Sequence, residues 1–341
     1  MLEADGSDLH LSVGSPPKIR SSGVIQSLED TVLTAGDMSE LLREICPEER
    51  WTYYLDHQDL DLAYEIPGVA RFRASFLYNH WGQAAVFRQI PADILSFDKL
   101  GLPDVLRQVC GYNEGLILVT GPTGSGKSTT LAAMIDFINE HHQKHIITIE
   151  DPIEFVHPMK RSVIVHREVG SHTGSFAKAL RGAMRADPDI VLVGEMRELE
   201  TIKLALNCAS MGMLVFGTLH TNNAPKTIDR IIDAFPSDEQ AQIRIMLANS
   251  LACVVSQLLC KRQPKGRVAV HEILLKHDAL PNTIRTGRIS DIRGIIEGGS
   301  TQGMRLMDSS IRNCLEAGTI SKEEAYMKAS DKDAFAHLLK H

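Results

Sequence analysis

The chain has 341 residues, 43% of them hydrophobic and 23% charged, with a formal net charge of −7. This composition excludes a disordered or fibrous chain and gives no global attraction to nucleic acid, so no nucleic-acid partner is expected. The longest apolar runs, such as Leu251 to Val255, fall well short of the roughly 18 residues that span a bilayer, and the N-terminus lacks a signal-peptide core, which predicts a cytoplasmic protein.

Residues 1–95 read as a small α+β domain. Asp8-Leu9-His10-Leu11-Ser12 alternates like a strand, and Gly14-Ser15-Pro16-Pro17 stops it. Thr34 to Tyr54 predicts helices interrupted near Cys46-Pro47. Three strand-like runs follow, Leu60 to Glu65, Ala70 to Tyr78 and Ala84 to Gln89, with a turn at Pro67-Gly68. Arg71 and Arg73 are two apart and so share a face of their strand, while Phe72 and Phe76 take the other; Arg88 lies in the next run. Two readings stand for these guanidiniums, a solvated face or a phosphate contact made from outside the nucleotide domain.

Ile90-Pro91 through Asp104 has the character of a connection, with a helix start near Leu102, and the linker proper is placed at 96–110. From 111 to 341 the pattern is that of a nucleotide-binding core. Strands are predicted at Leu116–Thr120, His145–Ile149, Ile190–Val193 and Leu214–Leu219, with helices at Ser128–His141, Ser175–Arg185 and Leu199–Met211 between them and a less regular stretch after Ile149. Continuous Ile, Leu and Val runs, rather than alternating ones, mark a parallel sheet buried on both faces. Ser237 to Leu259 and the segments to His341 read as mostly helical.

Between the first core strand and its helix lies GPTGSGKST, Gly121 to Thr129, a complete G-x-x-x-x-G-K-[ST] phosphate loop. Its glycines let backbone N–H groups converge on an anion at the positive end of a helix. Thr123, Gly124, Ser125, Gly126, Lys127, Ser128 and Thr129 are therefore the expected ATP-binding residues, with Lys127 on the β- and γ-phosphates and the Ser128 hydroxyl on Mg²⁺.

Ligands of parallel sheets sit at the carboxyl ends of the strands. Here those ends read as the phosphate loop, Glu150-Asp151-Pro152-Ile153-Glu154, Gly194-Glu195, and Thr218-Leu219-His220-Thr221. Asp189 opens its strand and belongs at the far end, so Glu195 is assigned to the Mg²⁺ shell and Glu154 to activation of the attacking water. His220 reads either as a γ-phosphate contact or as a structural histidine. The six cysteines contain no C-x-x-C pair and predict buried thiols rather than zinc or disulfides, and His141, His142 and His145 read as a solvated helix end.

Taken together, GPTGSGKSTT, ITIEDPIEF, DPDIVLVGEMRE and LVFGTLHTNNAPKTIDR, with SDLHLS, EIPGVARFR and FRQIP upstream and RVAVHEIL downstream, resemble the secretion and type IV pilus motor ATPases, most closely the PilT-type pilus retraction branch. The resemblance implies a PAS-like α+β domain joined to a RecA-like ATPase domain, an α/β fold with a helical C-terminal part. It also implies a homo-hexamer that hydrolyses ATP to turn an inner-membrane pilus platform protein in retraction and twitching motility, with paralogous pilus ATPases as further partners. By position it carries catalytic roles to Glu154, Glu195 and His220 and phosphate contacts to Arg71, Arg73 and Arg88. Two departures stand out: Met213 replaces the first histidine of the histidine box, and the retraction signature appears as Ala279-Leu280-Pro281-Asn282-Thr283-Ile284-Arg285-Thr286, losing an arginine and a glutamate. Pro281 fits the first turn of a helix. The alternative left open by these changes is a nucleotide-gated accessory or secretion-system ATPase.

Overall fold

In the computed structural model, every residue is described except Asp5, Ser22, Pro91, Ala92, Lys340 and His341. The Pro91 part of the predicted connection thus lies outside the described residues. The chain packs as two units: Met1–Asp93 with the segments Asp151–Val156 and Glu168–His172, and Ile94–Glu150 with His157–Arg167 and Thr173–His341.

The first unit is built on an antiparallel sheet. Its strands are β1 (Asp8–Ser12), β2 (Lys18–Ser21), β3 (Val24–Ser27), β4 (Asp59–Ile66), β5 (Ala70–Asn79) and β6 (Gly82–Ile90), in the spatial order β3-β2-β1-β6-β5-β4. Helices α1 (Ala35–Ile45) and α2 (Glu48–His57) cover one face. Thr34 starts α1 through a reciprocal capping box with Asp37. Cys46 is extended ahead of Pro47, which breaks the two helices apart. Along β5 the residues Ala70, Phe72, Ala74 and Phe76 are buried against Met38, Leu42, Trp51 and Tyr54, while Arg71, Arg73 and Ser75 stand on the opposite face. The β2–β3 hairpin is absent from the sequence expectation because its strands are four residues each, and every residue of β3 is exposed.

Short helices α3 (Phe97–Leu100) and α4 (Val105–Cys110) open the second unit. The helix expected near Leu102 begins three residues later, because α3 ends on Gly101 with φ +62° and Pro103 precedes the new start. The sheet comprises β7 (Gly115–Thr120), β8 (His145–Glu150), β9 (Val163–Glu168), β10 (Ile190–Val193), β11 (Leu214–Leu219), β12 (Leu251–Lys261) and β13 (Arg267–Leu275), ordered β13-β12-β7-β11-β10-β8-β9. β12, β7, β11, β10 and β8 pair in parallel, and β13 runs antiparallel to β12. Every residue of β7, β10 and β11 is buried, as their unbroken apolar runs require.

The connecting helices are α5 (Lys127–His141), α6 (Phe176–Ala183), α7 (Leu199–Ser210), α8 (Ala224–Asp233) and α9 (Ser237–Ser250). The helix expected over Ser237–Leu259 therefore stops at Ser250. Leu251–Lys261 is instead a buried strand against β7, and β13 is a second strand in the region expected to be helical. A continuous apolar run has no period that separates the two, and the vacant edge of β7, with Val254 and Val255 favouring extended backbone, decided for the strand. The less regular stretch likewise contains β9. After β13 the described residues form the helices α10 (Leu280–Arg285), α11 (Ile292–Gly298), α12 (Met307–Glu316), α13 (Lys322–Lys328) and α14 (Lys332–Phe335), with loops between them.

Candidate active site

At the end of β7 the backbone turns through Gly121, φ +143°, and reaches α5 through Gly126, φ +85°. A Cβ on Gly121 would collide with the Gln257 carbonyl and the Ser125 hydroxyl, and one on Gly126 would lie 2.9 Å from Gln257 Nε2. Only glycine satisfies both the left-handed backbone and the contact. Lys127 Nζ donates to the carbonyls of Gly121 at 2.9 Å and Pro122 at 3.1 Å, and Thr123 and Gly124 are exposed. Ser128 and Thr129 lie half-buried in the first turn of α5, where backbone N–H groups have no helical partner.

A side chain that sequence reasoning missed secures this loop. Gln257 on β12 donates from Nε2 to the Ser125 carbonyl at 2.6 Å, while its Oε1 accepts from Thr130 Oγ1 at 2.7 Å and from His271 Nε2 at 3.1 Å. Beside it, the Ser256 and Thr120 hydroxyls bond at 2.8 Å. The signal was present as a Ser-Gln pair interrupting an apolar run. A polar pair inside a fully buried segment must find partners.

Parallel pairing brings the ends of β10 and β11 to the same edge as the phosphate loop. Glu195 there accepts from His220 Nε2 at 2.8 Å and from Arg197 Nε, and the Thr218 hydroxyl donates to the Gly194 carbonyl. Asp189 lies at the opposite edge, accepting the His145 N–H at 2.8 Å and pairing with Lys144 at 3.4 Å. Met213 is buried just before β11, hence also at that opposite edge. Pro281 occupies the first turn of α10, as expected, and Arg285 reaches Asn249 Oδ1 at 3.4 Å.

In the first unit, Arg73 and Arg88 face each other across β5 and β6. Arg71, Arg73 and Arg88 each meet a carboxylate, Glu65 at 3.2 Å, Asp61 at 3.2 Å and Asp8 at 2.8 Å. Burial opposes ionisation of Asp8, yet hydrogen bonds from Ser7 and Arg88 hold its carboxyl below the usual carboxylate range. Glu154 is carried by the Asp151–Val156 segment of this unit. Asp151 beside it is pushed up, first by burial and then by Asp61, against the pull of Arg50 and Arg73.

The predicted magnesium ligands Ser128 and Glu195 offer one hydroxyl and one carboxylate. Among the described residues no cluster of three or more His, Cys, Asp or Glu is arranged to hold a metal. Such a donor set fits a magnesium ion that takes its other ligands from phosphates and water rather than from a protein cage.

The model of the family described as type II/IV secretion system protein matches residues 57–326. The chain belongs to the type II/IV secretion system protein family. Within that family it is 46% identical over 329 residues to the type IV pilus retractation ATPase PilT of Pseudomonas aeruginosa, covering 96% of both chains. It is 45% identical over 321 residues to a twitching motility protein of Neisseria gonorrhoeae, covering 94% of this chain and 86% of the other. A crystal structure of the pilus retraction motor PilT with bound ADP superposes with a TM-score of 0.90 at 43% identity, over 98% of this chain and 96% of that one. Among the described residues no helix is long and apolar enough to cross a membrane.

Proposed function

We propose that this secretion-family chain is an ATP hydrolase that drives type IV pilus retraction. The observation that carries the reading is the shared carboxyl edge of β7, β10 and β11, where the phosphate loop, Glu195 and His220 converge; end-to-end likeness to a pilus retraction ATPase supports the biological role. In this reading the backbone amides of Thr123–Thr129 grip the triphosphate, and Lys127 exchanges its loop carbonyls for β- and γ-phosphate oxygens. Ser128 and Glu195 hold the magnesium that offsets charge on those phosphates, while His220 and Arg197 orient the Glu195 carboxylate. Glu154 takes a proton from water as the water oxygen bonds to the γ-phosphorus and the bond to the ADP oxygen breaks. Arg71, Arg73 and Arg88 contribute charge to the phosphates in place of their present carboxylate partners. The working form is a homo-hexamer peripheral to the inner membrane, acting on a platform protein. Its N-terminal domain, 1–95, is joined by the linker 96–110 to the ATPase core, 111–341.

Purified chain supplied with Mg·ATP is expected to release phosphate, and Lys127→Ala and Glu154→Gln are each expected to lower turnover by about 100-fold or more. Full activity in both variants would overturn the assignment. Met213 and the altered 279–286 signature favour one second reading, a nucleotide-gated accessory, which binding without turnover in the unaltered chain would reveal.

A further inference from the structure

The strand β9 carries two side chains whose backbone partners bracket Glu154. In Val163-Ile164-Val165-His166-Arg167-Glu168, alternation puts Ile164, His166 and Glu168 on one face and the exposed Val163 and Val165 on the other. Glu168 is buried, its Oε2 accepting the Ile153 N–H at 3.0 Å and its Oε1 the Ser171 hydroxyl at 3.0 Å. His166 accepts the His157 N–H on Nε2 at 3.1 Å, with Nδ1 at 2.9 Å from the Thr148 hydroxyl on β8. A backbone N–H can only donate, so Nε2 carries no proton; the ring is the neutral Nδ1–H tautomer and donates to Thr148. The His157 ring stacks on that of His166, centroids 5.8 Å apart and planes at 11°.

Residues 153 and 157 are the position before Glu154 and the position three after it. The short segment that presents the glutamate is thus fixed at both ends by acceptors two residues apart on one strand. We infer that His166 and Glu168 are positioning residues for Glu154, acting through the Ile153 and His157 amides. The inference rests on the proposed role of Glu154 in activating water. General-base catalysis depends on reach, so a small displacement of the carboxylate lowers the rate of the chemical step without altering how the nucleotide is gripped.

The test uses the full chain and three readouts: steady-state phosphate release, titration with a fluorescent non-hydrolysable ATP analogue, and thermal midpoint. His166→Ala and Glu168→Ala each remove two side-chain hydrogen bonds, one of them to the segment that carries Glu154, and are each expected to lower kcat about three- to tenfold while analogue affinity stays within about twofold. His166→Gln and Glu168→Gln retain an acceptor oxygen and are expected to restore most of the rate. In a Glu154→Gln background, His166→Ala should change the residual rate by less than about twofold, since a positioning residue has nothing left to position. Wild-type turnover in both alanine variants, parallel loss of analogue binding, or a full additional loss in the Glu154→Gln background would overturn the inference. If His166→Ala fails to fold, Thr148→Val removes the ring's other partner and must reproduce the kcat loss. Full turnover in Glu154→Gln alone defeats the underlying reading of Glu154, an outcome distinct from all of these.

Discussion

At the scale of single residues, the phosphate loop depends on a side chain far from it in sequence. Gln257 links Ser125, Thr130 and His271, and a nonpolar replacement leaves the two loop-side groups buried without partners. Gln257→Leu is therefore expected to destabilise the protein by about 2 kcal/mol and to weaken nucleotide binding several-fold, read by thermal unfolding and by analogue titration. The positions of Glu195 and His220 at the sheet edge were legible because each follows an apolar strand run, and those of Lys127 and Ser128 because the glycine-rich loop motif contains them. Gln257 was not, because its role comes from a loop 132 residues away in the chain. The carboxylate partner of Arg88 was hidden for the same reason, since the register of Asp8 against Arg88 joins residues 80 apart; those of Arg71 and Arg73 lie across the β4–β5 hairpin and needed its register.

Among the elements, the buried parallel strands β7, β8, β10 and β11 announced themselves by composition, and β12 was concealed by the same property. Apolar on both faces, Leu251 to Val255 offers no period, and its pairing with β7 supplied the answer. The pairing of β12 with β13 bears on acid stability. His271 on β13 is enclosed beside Gln257, and burial pushes its pKa down to about 4; burial, followed by His166, does the same to His157. The unfolded chain takes up these protons near the ordinary value of about 6.5, so the stabilisation from neutral histidines is complete above that pH and is lost as pH falls from there toward 4. Thermal midpoints measured from pH 7.5 to 4.5 are expected to decline below about pH 6.5, and His271→Gln to reduce part of that slope.

For the molecule as a whole, the proposed hexamer predicts a particle of about six times 37.7 kDa in Mg·ATP. Size-exclusion with light scattering checks this, and a monomer at every nucleotide condition would remove the ring from the proposal. The amino-acid sequence by itself determined the phosphate loop, the succession of strands and helices around it, and the family resemblance, because glycine backbone freedom, apolar runs and strand-end carboxylates are local properties. The tertiary structure alone decided that β12 lies beside β7 with Gln257 under the loop, that β9 holds the amides on either side of Glu154, and that Arg71, Arg73 and Arg88 each meet a carboxylate. Hydrogen bonds and ion pairs of this kind join residues of different strands and loops, and their partners exist only once strand order and register have been set by packing.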